Sequence, residues 1–283
     1  SNHALAEDID IKSSAINNCT SRNEGGGVYQ NRNASGSSLT VENASISNNE
    51  CQDNRKHGGG IYTNAWNVTV TGSTISNNIT KGDGSGLYAY TRTSLTLTDS
   101  TISNNTSTNG NGGGVWFDYN DNNVRANLVL AVNGCSIDGN RISGSGSNIG
   151  LGGGIYTCAG TVTIGKYDYS ESKSPSSVSP AGSYITDNDG NVIGRRSSIS
   201  NCTASYQGGG IYHNLNAEGS KLEIKDGTKI NDNAANSSVG GGVYATVRNL
   251  TITDSEVSKN KAGNNGGGIW FYNSNQTARD NRT

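Results

Sequence analysis

One pattern recurs eight times along this chain: a glycine triplet, then a branched aliphatic residue, then an aromatic one. It stands at Gly25-Gly26-Gly27-Val28-Tyr29, Gly58-Gly59-Gly60-Ile61-Tyr62, Gly84-Ser85-Gly86-Leu87-Tyr88 and Gly112-Gly113-Gly114-Val115-Trp116, and again at 152–156, 208–212, 240–244 and 266–270. The central positions 26, 59, 85, 113, 153, 209, 241 and 267 are separated by 33, 26, 28, 40, 56, 32 and 26 residues. A unit near 26 with insertions describes these intervals. A repeat of that length is one supersecondary unit that buries its apolar face only against its neighbours, and so predicts a solenoid.

Two further signatures share the period. Ile-x-x-Asn occurs at Ile46–Asn49, Ile75–Asn78, Ile102–Asn105, Ile137–Asn140 and Ile230–Asn233, with Val257 leading Asn260, while Cys19 and Cys202 stand for the asparagine after Ile16 and Ile199. Seven residues before most of these positions begins a segment alternating apolar and polar, such as Ile9-Asp10-Ile11-Lys12, Leu39-Thr40-Val41-Glu42 and Leu95-Thr96-Leu97-Thr98. Alternation with period two is a strand signal, and no window carries helical spacing. The chain is therefore expected to be all-β: a right-handed single-stranded parallel β-helix of about eight rungs, with three short strands per rung. It reads as a single β-helix domain over 1–283. A loop insertion is expected over 166–196, which holds Pro175 and Pro180, and a smaller one over 118–127.

The glycines are expected to turn a tight corner, since they reach backbone conformations closed to other residues. The aliphatic residue after them should point inward and the aromatic one outward, which stacks Tyr29, Tyr62, Tyr88, Trp116, Tyr156, Tyr212, Tyr244 and Trp270 in a column. Such a column offers a platform for sugar rings, a docking strip for another chain, or stacking with a structural role alone. The asparagine of Ile-x-x-Asn suits a left-handed turn residue whose amide bonds to its copy on the next rung, an asparagine ladder.

The alternation of GGG[IV] and IxxN resembles the GGA[ILV] and FxxN repeats of polymorphic outer-membrane proteins, and more broadly the right-handed parallel β-helices of adhesins and passenger domains. The resemblance spans nearly the whole chain, with Gly for Ala and Ile for Phe, and it implies an extracellular or cell-surface setting. No C-terminal membrane β-barrel pattern accompanies the repeats.

Of the 283 residues only 31% are hydrophobic and 16% charged, with a formal charge of −2 and no basic stripe. Nucleic acid is therefore not an expected partner. No stretch approaches the roughly 18 apolar residues of a membrane helix, so membrane insertion is not expected either. The five cysteines lack zinc-site spacing. Cys19 and Cys51 fall near the Ile-x-x-Asn segments of neighbouring rungs, where a rung-to-rung disulfide would suit an extracellular protein, the other reading being two small buried hydrophobes.

Twelve Asn-x-Ser/Thr sequons occur. Asn78 and Asn105 belong to the ladder and should be inaccessible, which leaves Asn33, Asn43, Asn67, Asn236 and Asn275, in expected turns or loops, as glycosylation candidates. The nearest approach to the acid–base clusters of polysaccharide lyases is Asp187, Asp189, Arg195 and Arg196, which loop solvation explains equally well. Asp187-Asn188-Asp189-Gly190-Asn191 reads as a turn rather than a calcium loop, its glycine being misplaced. His3, His57 and His213 lie in different rungs. The Thr-x-Thr pairs, as at Thr69/Thr71 and Thr96/Thr98, resemble the threonine arrays of ice-binding β-helices, but Ala131/Asn133 and Glu223/Lys225 interrupt them in the same register.

No cap sequence is evident at either end. The expected function is that of an extracellular structural protein, the building block of a head-to-tail surface filament or adhesin stalk, N-glycosylated. No catalytic, cofactor or metal residues are assigned. Its partners are further copies of itself stacked end to end, and glycans. The alternatives are a carbohydrate-binding adhesin that uses the aromatic column and a polysaccharide-degrading β-helix enzyme.

Overall fold

A computed structural model describes residues 8–31, 33–144, 149–173 and 184–273, without the side chains of 171–173. Four parallel sheets of eight strands each run its length, each sheet taking one strand from every rung. The first rung comprises Ile9–Lys12, Ala15–Asn17, Thr20–Ser21 and Val28–Gln30, and the eighth Asn249–Ile252, Glu256–Ser258, Lys261–Ala262 and Ile269–Phe271. The chain is thus a parallel β-solenoid of about eight turns.

Register follows the apolar pattern. In the first sheet Leu95 pairs with Val68 and Leu130, and Leu97 with Val70 and Val132. In the second, Ile75 pairs with Ile46 and Ile102, and in the fourth Leu87 pairs with Ile61 and Val115. These aliphatic side chains are fully buried in one continuous core. A slip of one residue would turn the apolar face of every strand to solvent, so burial holds the rungs in phase.

Each rung has four strands rather than the expected three. The additional one is the two-residue strand after the ladder position, as at Thr20–Ser21, Glu50–Cys51, Ile79–Thr80 and Thr106–Ser107. Two residues are too few to display an alternation, so this sheet exists only through its partners above and below. The interrupted threonine rows lie on the outer face of the first sheet, where Thr96 is flanked by Thr69 and Ala131.

The asparagine ladder forms, with one change in its corner. The left-handed residue is the third of Ile-x-x-Asn, not the fourth: Asn48, Asn77 and Asn104 each have φ of 55° and Asn201 has 53°. That turn aims the following asparagine inward. The glycine triplet also does more than turn. Gly58 supplies φ of 71°, whereas a Cβ on Gly59 would lie 2.6 Å from the Ile79 carbonyl oxygen. One on Gly60 would lie 2.6 Å from the Gly86 carbonyl and 2.9 Å from the Asn78 amide. The second and third glycines are thus required by close approach of the neighbouring rung and its ladder.

The insertion over 166–196 is not simply a surface loop. Tyr167–Lys173, Tyr184–Thr186 and Val192–Arg195 make a three-stranded antiparallel sheet, while both prolines lie outside the described residues. Arg195, 2% exposed, pins this sheet to the solenoid by donating to Asp99 Oδ1 at 3.3 Å and Thr101 Oγ1 at 3.4 Å; the Tyr169 hydroxyl reaches the same carboxylate at 2.8 Å. The segment 118–127 contains a single helical turn, Asn122–Arg125, capped by Asp121.

The expected disulfide is absent: Cys19 and Cys51 are both free. Rung stacking places Ser21 against Cys51 and brings the Cys19 amide to Asn49 Oδ1 at 2.9 Å. The two cysteines are therefore offset by two positions and occupy different columns. Burial pushes the Cys51 thiol up to about 11 and those of Cys135, Cys158 and Cys202 up to about 12, since the thiolate would lose its hydration. These four are small core residues rather than reactive ones.

Candidate functional site: the aromatic column and its groove

The eight aromatic residues stand in register along the outer face of the fourth sheet, from Tyr29 against Tyr62 to Tyr244 against Trp270. Successive ring centroids are 5.2, 5.0, 4.3, 5.8, 5.2, 4.6 and 4.6 Å apart, with the rings stacked. Parallel strands with aromatic side chains in register impose this spacing, and each offset-stacked pair adds about 0.5–1.5 kcal/mol beyond area burial.

The column points away from the core but is not an open platform. Tyr88, Trp116, Tyr212 and Tyr244 are at most 9% exposed; Tyr29 at the N-terminal end is 50% exposed. Corner loops on both sides cover the middle. Leu151 and Val239 pack against Tyr212 and Tyr244 as a second apolar cluster. His57 stacks on Tyr88 with centroids 4.6 Å apart. Burial pushes the hydroxyls of Tyr88, Tyr156 and Tyr212 well up, and that of Tyr62 up to about 12.

On one flank, the residue before each of the first four glycine triplets accepts the backbone amide of the next rung through its side chain. Glu24 accepts from His57, His57 Nδ1 from the Asp83 amide at 2.9 Å, Asp83 Oδ1 from Asn111 at 2.7 Å, and Asn111 Oδ1 from Leu151 at 3.0 Å. Burial pushes the Asp83 carboxyl up, opposed by the neighbouring His57. On the other flank, Arg125 grips Asp118 with Nε to Oδ1 at 2.7 Å and Nη2 to Oδ2 at 2.6 Å. Arg92 lies over the Tyr119 ring at 4.7 Å. The acidic side chains beside the column are thus engaged in holding its walls.

Between rungs, the asparagine ladder satisfies its central amides completely. Asn105 Oδ1 accepts from the backbone N and the Nδ2 of Asn78, both at 3.0 Å, and Asn105 Nδ2 donates to the Ile75 carbonyl at 3.0 Å and Asn140 Oδ1 at 2.9 Å. Two donors and two acceptor sites are all used. At Cys202 the ladder continues through sulfur, with Asn140 Nδ2 at 3.9 Å from Sγ. A hydroxyl ladder runs beside it at the corner between the first two sheets: Ser73 Oγ accepts from the Ala44 amide and Ser100 Oγ from Ser73, at 3.0 and 3.1 Å. Cys135 takes one step of this row, and its amide donates to Ser197 Oγ at 3.2 Å. The Ser or Thr two residues before the Ile-x-x-Asn isoleucine is the sequence signal for it.

Of the glycosylation candidates, Asn33, Asn43 and Asn236 are exposed, whereas Asn67 is half-buried and opens a strand rather than a loop; Asn275 lies outside the described residues. Asn78 and Asn105 are fully buried. The acid–base cluster near the insertion does not assemble. Arg195 is buried on Asp99, and Asp187 sits in a turn in which Asn191 Nδ2 donates to its Oδ2 at 3.0 Å and the Asn191 and Asp189 backbone amides donate to its Oδ1 at 2.8 and 3.0 Å, which holds its carboxyl below the usual range. His3 lies outside the described residues, and His213 is buried with Nε2 2.6 Å from the Ala159 carbonyl. Among the described residues no three His, Cys, Asp or Glu side chains converge as a metal site. An open depression at the N-terminal end of the column is lined by Ser21, Asn23, Glu24, Tyr29, Lys56 and Tyr62.

Compared with known proteins, the chain matches no family, no curated protein and no solved structure.

Proposed function

We propose that the chain is an extracellular structural solenoid, the building block of a head-to-tail surface filament or adhesin stalk, glycosylated at exposed sequons such as Asn33, Asn43 and Asn236. The observation that carries this reading is the repetition itself: four parallel sheets take one strand from every rung, and amide ladders join each rung to the next along one continuous core, a scaffold in which stacking like layers is the whole architecture. The resemblance of GGG[IV] and IxxN to surface-protein repeats supports the same setting. A length set by rung count, with walls held by backbone ladders, suits a load-bearing or spacing role.

Light scattering and electron microscopy of the purified chain test this. Filaments or concentration-dependent oligomers are expected; monodisperse monomer at high concentration would reject it. The second reading, a carbohydrate-binding adhesin, is favoured by the open depression at Tyr29 and Tyr62 with Glu24 and Lys56 at its edge. Glycan-array binding lost on Tyr29→Ala would support it.

A further inference from the structure

We propose that the corner between the second and third sheets is a ridge of N-linked glycans, with attachment at Asn104 and Asn201. The inference rests on the extracellular reading and adds two attachment sites on the solenoid itself to the candidates Asn33, Asn43 and Asn236.

The phase of a sequon against the repeat decides whether it is open. In Asn104-Asn105-Thr106 and Asn201-Cys202-Thr203 the first residue is the left-handed corner, at φ 55° and 53°. Asn104 and Asn201 stand exposed there, while the middle residues Asn105 and Cys202 take the ladder position and are fully buried. Thr106 and Thr203 follow on the outer face of the third sheet, in one column with Arg141 between them. The asparagine and the hydroxyl of each sequon therefore both face outward. In Asn78-Ile79-Thr80 and Asn105-Thr106-Ser107 the phase is shifted by one residue. There the asparagine and the hydroxyl residue are fully buried and only the middle residue faces out, as Ile79 does at 43% exposure. Alternation along the strand thus makes two opposite classes of sequon from one repeat. Asn48 and Asn77 share the open corner but have Glu50 and Ile79 two residues on, so neither is an acceptor.

The ridge is clear between its two sites. The rung that separates them contributes Gly139 to the corner, at φ 63°. The Asn104 N–H donates to the Asp138 carbonyl and the Gly139 N–H to the Ser200 carbonyl, both at 3.0 Å, so the three corners are consecutive steps. At about 4.8 Å per rung, Asn104 and Asn201 lie roughly 10 Å apart with no side chain at the corner between them. A Cβ on Gly139 would collide with Asn104 Oδ1. Asn201 Nδ2 donates to Asp138 Oδ1 at 2.8 Å, and Ser200 Oγ donates to the same oxygen at 2.7 Å. A carboxamide carries two N–H donors and attachment consumes one, so this bond survives glycosylation.

The co-reactant is an oligosaccharide carried on a lipid pyrophosphate. Asn Nδ2 bonds to the anomeric carbon, the carbon–oxygen bond to the pyrophosphate breaks, the lipid pyrophosphate leaves with the electron pair, and the amide loses one proton. The test is the full chain, expressed through a secretory pathway that supplies this donor. Its glycans are released in heavy-oxygen water by an amidase that marks each attachment site, and the peptides are sequenced by mass spectrometry. Marks are expected at positions 104 and 201 and none at 105. Thr106→Ala removes the Asn104 sequon but leaves Asn105 two residues before Ser107, so the whole oligosaccharide should vanish from that peptide. Thr203→Ala should do the same at Asn201. Both threonines lie on the outer face, and unchanged circular dichroism checks that the rungs remain. A glycan at Asn105, or one retained in Thr106→Ala, would overturn the phase argument. Unmodified Asn104 and Asn201 in a chain glycosylated at Asn33, Asn43 or Asn236 would overturn the ridge while leaving the extracellular reading in place. No glycan anywhere would overturn the ridge together with glycosylation of the chain.

Discussion

Replacing Asn105 with alanine probes what holds one rung to the next. The change removes the acceptor shared by the backbone N–H and Nδ2 of Asn78, and it removes the donor to Ile75 O and Asn140 Oδ1. Both Asn78 donors lie where no water reaches, since Asn78 and Asn105 are fully buried. Each orphaned buried donor costs about 1–3 kcal/mol, so the two together give an expected loss of roughly 2–6 kcal/mol. The same change at Asn260 orphans the Asn233 donors next to an end rung, where the pair is only partly buried and water can substitute; about 1–2 kcal/mol is expected there. Urea denaturation followed by far-ultraviolet circular dichroism reads both losses through the midpoint at constant slope. Equal losses at the two positions, or less than about 1 kcal/mol at Asn105, would refute the claim that complete amide satisfaction locks the rungs together.

Cys202→Asn should replace the weak sulfur acceptor facing Asn140 with an amide oxygen and raise stability by about 1 kcal/mol, measured in the same titration; a loss would mean that the site has adapted to sulfur. His213 is fully buried and its pKa lowered to about 4, the cost of burying the charged ring. The unfolded chain therefore takes up the proton first, and stability falls by about 1.4 kcal/mol per pH unit as pH drops from about 6.5 towards 4. His213→Thr, which copies its register partner Thr157, should show a shallower decline across that window. Arg195→Ala should loosen the antiparallel sheet of the insertion without unfolding the rungs, seen as faster amide exchange over Tyr167–Ser170 with the solenoid strands still protected. Expressed through a secretory pathway, the chain should carry glycans at Asn33, Asn43 or Asn236 and none at Asn78 or Asn105, as mass spectrometry of the peptides would show.

The rungs, their register and the aromatic column were legible in the sequence because each is written locally. Period-two alternation names the face of Leu95 or Val68, and repetition of Ile-x-x-Asn fixes which residue lies over which. The same spacing marked Asn78 and Asn105 as buried. The strands at Thr20–Ser21 and Ile79–Thr80 were not legible, being too short to carry a pattern. The left-handed residue was misplaced by one because Asn-Asn at 48–49 and 104–105 presents two equally suitable candidates. Only the direction of the amide, inward at Asn49 and outward at Asn48, separates them.

The sequence alone determined a stack of like layers, since a strand that buries every second side chain on a fixed period can satisfy itself only against its own repeat. Tertiary structure decided the depth of each feature. Tyr88 and Tyr29 occupy equivalent positions, yet one is buried and the other open, because exposure depends on the loops and rungs that pack beside a residue. Cys19 and Cys51 stay apart for a related reason: nearness along the repeat does not bring two thiols into one column unless their strand positions coincide.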